Sequence, residues 1–252
     1  MIIKKIKIWL FVSIFISFFL VLTNFQALAI PTLQLDILDG TYDYQTQTII
    51  APSESFTLYA FLIPNRSNLL TDVYYISAAI VPRTGPTGSG LGSFVFGSQT
   101  IYVTSDMTYG VPPLEEIVAL QGWDPGDLPK HGIYPTFFSE FEFQFNNGQI
   151  EPYNTQDRAQ SGGTIPQWGN GMYYVAFSVN TFGLNNDYVV HFDLYNTKIK
   201  CSGDIDVTQF APFSHDAQSV QVPEPSTLLL MGAGLIGIGV FGRKRFRRKE
   251  KN

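Results

Sequence analysis

Three histidines, one cysteine and a set of carboxylate pairs are the side chains through which this 252-residue chain could do chemistry. His131, His191 and His215 form no His-Glu-x-x-His or His-x-His pair, and none stands beside a Gly-x-Ser-x-Gly elbow. His191 shares a strand-like face with Val189 and Tyr195 and reads as a core or surface histidine. His131 and His215 fall in two polar loops with Asp127 and Asp216, where they could approach one another as a metal or hydrogen-bonding group. Cys201 is alone, so it forms no internal disulfide, and no neighbouring histidine or base cluster activates it as a nucleophile. The carboxylate pairs are Glu115-Glu116, Asp124/Asp127, Glu140/Glu142 and Asp204/Asp206. A glycosidase needs two carboxyls converging across a cleft, whereas Glu140 and Glu142 share the polar side of one strand and point to solvent. Gly203-Asp204-Ile205-Asp206 gathers hard oxygen donors in a loop and is the calcium candidate, through Asp204 and Asp206, although it lacks the full EF-hand spacing. Asn65-Arg66-Ser67 fits the N-glycosylation sequon and reads as a chance match. None of these residues is assigned a catalytic role, no enzyme activity is expected, and no cofactor beyond that calcium is called for.

The elements that would position these groups are strands. Leu33, Leu35 and Ile37 alternate with Gln34 and Asp36, and Phe56, Leu58, Ala60 and Leu62 alternate with Thr57, Tyr59 and Phe61. Asp72 to Val81 is a β-branched and aromatic run. Phe137, Phe141, Phe143 and Phe145 share one face opposite Glu140, Glu142 and Gln144. Tyr173, Val175, Phe177 and Val179 repeat the pattern, and Tyr188 to Tyr195 closes the series. Period-two patterning over many short segments, separated by Gly, Pro, Asn and Asp, predicts an all-β fold: an antiparallel β-sandwich, jelly-roll-like, with one solvated face per strand. Leu114 to Leu120, after Pro112-Pro113, is the one helix predicted before the terminal span. Arg83 to Ser93 and Asn154 to Asn170 read as a flexible loop and a long polar connection.

Charge divides the chain into three parts. Ten of its 16 bases and two of its 21 acids lie before Ala29 or after Val222, which leaves six bases against 19 acids in between. So acidic a middle cannot displace counterions from phosphates, and nucleic acid is excluded as its partner. Lys4, Lys5 and Lys7 precede an uncharged run of 14 residues from Trp9 to Leu22, and Ala27-Leu28-Ala29 then offers a small-x-small cleavage site. Residues 1–29 therefore read as a signal peptide with a helical apolar stretch, processed at Ala27 and Ala29. Thr227 to Gly242 is a second uncharged run, of 16 residues, followed by six bases: Arg243, Lys244, Arg245, Arg247, Arg248 and Lys249. It predicts a short transmembrane helix of about 24 Å, with the basic tail retained in the cytoplasm and everything upstream exported. The expected division is a signal peptide over 1–29, an exported β-sandwich over 30–221 and a terminal segment over 222–252.

That terminal segment has a recognisable order. Val222-Pro223-Glu224-Pro225-Ser226, then a short glycine-containing apolar helix, then a terminal Arg cluster, resembles the PEP-CTERM sorting signal of bacteria. The resemblance implies recognition by an exosortase, a membrane-embedded cysteine enzyme that removes the segment, with Pro223, Glu224 and Pro225 as the sorting motif. It also implies a Gram-negative bacterium that makes extracellular polysaccharide, an inner-membrane anchored precursor, and a final place at the cell surface or in the extracellular matrix. Residues 122–135 (GWDPGDLPKHGIYP) and 210–217 (FAPFSHDA), with Leu33-Gln34-Leu35-Asp36, are similar to the bacterial choice-of-anchor domains of the N type. That resemblance implies export and anchoring and brings no activity.

The function expected from the sequence is that of a non-enzymatic surface or matrix protein whose partners are the membrane and an exosortase. The alternative is a carbohydrate-binding module acting on extracellular polysaccharide, since the middle is rich in aromatic rings that stack on sugars. An exported hydrolase is a third class, with the least support.

Overall fold

The computed structural model describes residues 30–113, 134–196 and 210–220. Alternating apolar residues give each strand one side to bury, and two sheets bury these sides against one another. Among the described residues, one six-stranded sheet has β1 (Leu33–Ile37), β4 (Ser55–Leu62), β11 (Met172–Asn180), β6 (Ser93–Phe96) and β7 (Gln99–Tyr102) in that order, with β10 (Gln149–Ile150) also paired to β11. The second, seven-stranded sheet runs β2 (Thr41–Asp43), β3 (Thr48–Ile50), β13 (Ala217–Gln218), β12 (Val189–Asn196), β5 (Tyr74–Val81), β9 (Thr136–Phe143) and β8 (Thr108–Gly110). Pairing is antiparallel, as the patterning predicts, except that β13 lies parallel to β3. The sandwich is thus mostly β, and it is held from inside by rings that cross between sheets. Phe96 of the first sheet stacks on Phe141 of the second with centroids 4.0 Å apart, and Phe56 and Phe143 meet Phe192 and Phe177 edge-on. Each fully buried ring or Leu side chain contributes about 1.5–3 kcal/mol by leaving water.

Register shows which predicted faces are inner. Leu33, Leu35 and Ile37 pair with Leu62, Ala60 and Leu58, and all six are buried in the core. Phe137, Phe141 and Phe143 of β9 face that core while Glu140 and Glu142 are exposed, as read from the sequence.

The expectation of one solvated face per strand fails in two places. Every residue of β1 is buried, Gln34 and Asp36 included, and so is every residue of β12. At β1 the cover comes from the segment 154–170, which contains a helix that the polar composition concealed. Thr155–Ser161 is helical, with the Asn154 side chain accepting from the Asp157 amide at its start and Gly162 in the left-handed conformation at its end. A second short helix, Val103–Asp106, follows β7. The helix expected over 114–120, the signal peptide and the terminal span lie outside the described residues, and among the described residues no helix is long and apolar enough to cross a membrane.

Candidate functional site

The buried sides of β1 and β12 that should have met water carry the two polar constellations of the domain. On β1, Asp36 lies on the outer side of the first sheet and is fully buried. Helix 155–161 supplies Arg158, which grips both oxygens of that carboxylate in a bidentate pair, through Nε at 2.9 Å and through its second terminal nitrogen. The remaining guanidinium donors reach the carbonyls of Gly40 and Ile37, at 3.0 and 3.2 Å. The Tyr153 hydroxyl donates to Asp36 at 2.8 Å. Gln34, one pleat away, accepts from the Thr155 amide and donates to the Tyr153 carbonyl. Burial pushes the Asp36 carboxyl up to about 6, and the Arg158 guanidinium and the Tyr153 hydroxyl pull against that rise. Burial and Asp36 together hold the Tyr153 phenol well above its ordinary range. Apart from the buried Thr155 hydroxyl, which has no partner, the donors and acceptors named here are matched, and the arrangement clamps the helix to β1.

On β12, His191 and Asp193 stand two residues apart on the outer side of the second sheet. The neighbouring pairing of Phe192 with Ala217 brings Asp216 beside them. His191 Nε2 is 3.3 Å from Asp193 Oδ1 and 3.8 Å from Asp216 Oδ2, and all three residues are buried. Burial alone would push His191 down; the two carboxylates outweigh it and hold the imidazole well above its ordinary value. Asp193 Oδ2 is buried with no hydrogen-bond partner, as is Ser77 Oγ, which occupies the position on β5 paired with Asp193. One imidazole nitrogen and two carboxylates within 4.8 Å of one another form a donor set able to hold a divalent cation.

Asp216, which the sequence groups with His131, His215 and Asp127 as a possible cluster, faces His191 and Asp193 and not the ring of His215, while His131 and Asp127 lie outside the described residues. His215 ends a 3-10 turn, Phe213–His215, and Asp216 follows it in extended conformation, so the two adjacent side chains project differently. The His215 ring meets Ser214 Oγ at 2.9 Å and Asn154 Oδ1 at 3.1 Å. Serine, histidine and asparagine in a row have the connectivity of a nucleophile–base relay, but burial holds His215 down at about 4, which makes it a weak base near neutrality. Asn65 accepts from the amides of Ser67 and Asn68, closing a tight turn through the sequon. His191 is the residue whose partnership the sequence concealed, because nothing in its alternation identifies the strand that will lie beside it. His131, Asp127, Cys201 and the calcium candidate Asp204 and Asp206 lie outside the described residues. So do Ala27 and Ala29, Pro223, Glu224 and Pro225, and the basic tail Arg243, Lys244, Arg245, Arg247, Arg248 and Lys249.

A surface groove of about 180 Å³ opens on the outer side of the first sheet, lined by Tyr59, Phe61, Tyr174, Ile165 and Gln167 among others. Tyr59 and Phe61 lie nearly parallel, 4° apart in plane, and Trp168, next along from Gln167, is 81% exposed.

Comparison with known proteins gives one match. No curated protein and no solved structure matches the chain, and the similarity to choice-of-anchor domains of the N type finds no support. Residues 221–248 match the family model described as the PEP-CTERM protein-sorting motif, beginning one residue after the last described residue of the sandwich. The chain therefore carries a PEP-CTERM protein-sorting motif, which indicates an exported protein that an exosortase sorts at the membrane.

Proposed function

We propose that this chain is a non-enzymatic surface or extracellular-matrix protein: a β-sandwich exported behind a signal peptide and released from its C-terminal membrane segment by an exosortase. The observation that carries this reading is the match at 221–248, placed directly after an anchored strand end. Ser219 is tied to β12 twice, its amide donating to the Val190 carbonyl and its Oγ accepting from the Val190 amide, both at 2.9 Å. The prolines on either side of Glu224 disfavour helix there, and its carboxylate is the group a basic pocket would recognise.

The test is an epitope tag after Asn252, followed by blotting in hosts with and without an exosortase. The tag is expected to be lost in the first host and kept in the second, and Glu224→Ala should keep it in both while membrane insertion persists. Equal retention of the tag by the unaltered chain in both hosts would reduce the segment to a plain anchor.

The groove favours polysaccharide contact as a second reading. Flat rings beside a glutamine amide offer both the apolar face and the polar edge that a sugar presents. Under this reading, Tyr174→Ala and Trp168→Ala weaken retention of the protein on its host's polysaccharide without changing its fold; unchanged retention refutes it.

A further inference from the structure

We propose that His191, Asp193 and Asp216 form a structural zinc site that staples the C-terminal strand to the second sheet.

The argument begins with geometry. Zinc bonds to imidazole nitrogen and carboxylate oxygen are about 2.0–2.1 Å, so ligand atoms of one tetrahedron stand about 3.4 Å apart. His191 Nε2 lies 3.3 and 3.8 Å from the nearer oxygens of Asp193 and Asp216, close to two edges of such a tetrahedron. All three ligand atoms lie within 4.8 Å of one another, and side-chain rotation has to close what remains.

Charge is compatible with this: a divalent cation on a neutral imidazole and two carboxylates, in positions 1–2% exposed, balances to zero.

Unmatched atoms point the same way. Asp193 Oδ2 is buried and lacks a partner, although a lone buried carboxylate oxygen is costly to leave unmatched. Ser77 Oγ, at the paired position on β5, is also buried without a partner. A water completing the metal's fourth position is the kind of group that satisfies such a hydroxyl.

The donor set narrows the metal to the divalent transition series, of which zinc is the redox-inert member suited to a structural role. One nitrogen with two oxygens suits zinc, while calcium and magnesium favour all-oxygen shells. The location gives the role: β13 is only two residues long and continues within four residues into the sorting motif. A metal shared between β12 and Asp216 ties down the strand that precedes the sorting motif in sequence.

The test uses the full chain in detergent, carrying no polyhistidine tag, stripped with a chelator and titrated with zinc sulfate. One tightly held zinc per chain and a rise in the melting temperature are expected. Asp193→Asn should weaken zinc by more than the about 10–100-fold that altering an outer-shell partner costs, whereas Asp187→Asn, at an exposed position, should leave it unchanged. Failure of the unaltered chain to retain zinc, or equal retention by Asp193→Asn, overturns the site. Should Asp193→Asn not fold, cobalt(II) loaded into the unaltered chain decides: tetrahedral visible bands displaced by zinc support the site, and their absence refutes it.

Discussion

Arg158 illustrates what a single residue does in this fold. Its guanidinium sits 5% exposed against a carboxylate that is fully buried, and all that compensates for taking both charges out of water is their fork geometry and the Gly40, Ile37 and Tyr153 groups around them. Removing one partner strands the other charge. Arg158→Ala is therefore expected to cost about 3–5 kcal/mol, and the double change Asp36→Leu with Arg158→Met markedly less. Urea unfolding of the three proteins checks the order, and equal losses for the single and double variants would contradict it.

His215 sets a pH dependence of definite sign. Held at about 4 in the folded chain against an ordinary 6.5, it favours folding through its neutral form above about 6.5. That contribution is lost as pH falls toward 4, because the unfolded chain takes up the proton first. Asp36 works oppositely. Raised from 3.8 to about 6, it contributes most in acid and loses its contribution as pH rises through about 6. The two windows overlap, so the histidine must be read by difference. The stability gap between the unaltered protein and His215→Gln is expected to shrink by about 3 kcal/mol between pH 7 and pH 4; a pH-independent gap would remove His215 as the cause.

At the scale of elements, the weak point of the first sheet is where β6 begins. Gly92 has φ of 85° and bridges Leu184, and a Cβ there would stand 2.2 Å from the Gly183 carbonyl oxygen. Gly97, in the β6–β7 turn, has φ of 62° with nothing within 4 Å of an added Cβ. Alanine at 97 pays only the left-handed penalty of about 1–2 kcal/mol. Alanine at 92 pays that and must also push backbone apart. Denaturant midpoints should fall in the order unaltered, Gly97→Ala, Gly92→Ala, and a milder effect at 92 than at 97 would show that the bridge is not held as described. The helix 155–161 teaches a related lesson. Its cap signals were present as Asn154 and Gly162, but its apolar face is nearly absent. What holds it is the clamp to β1, an interaction between residues 122 apart in the chain.

Across the whole molecule, legibility followed the range of the physics. Alternation is local, so the sequence by itself determined that the middle is β, that Leu33, Leu58 and Phe137 face inward, and that Glu140 and Glu142 face out. Linear order is also local, and for that reason the PEP-CTERM motif could be read at 221–248 without any structure. Burial of a polar residue is decided by what arrives to cover it. Gln34 and Asp36 sit at positions that alternation assigns to solvent, yet both are buried, as are His191 and Asp193 on β12. Only tertiary structure could decide that Arg158 would meet Asp36, or that Asp216 would stand beside His191 rather than pair with His215. Strand register joins residues far apart in sequence, and the free energy that selects one register comes from the packed core as a whole rather than from the residues so joined.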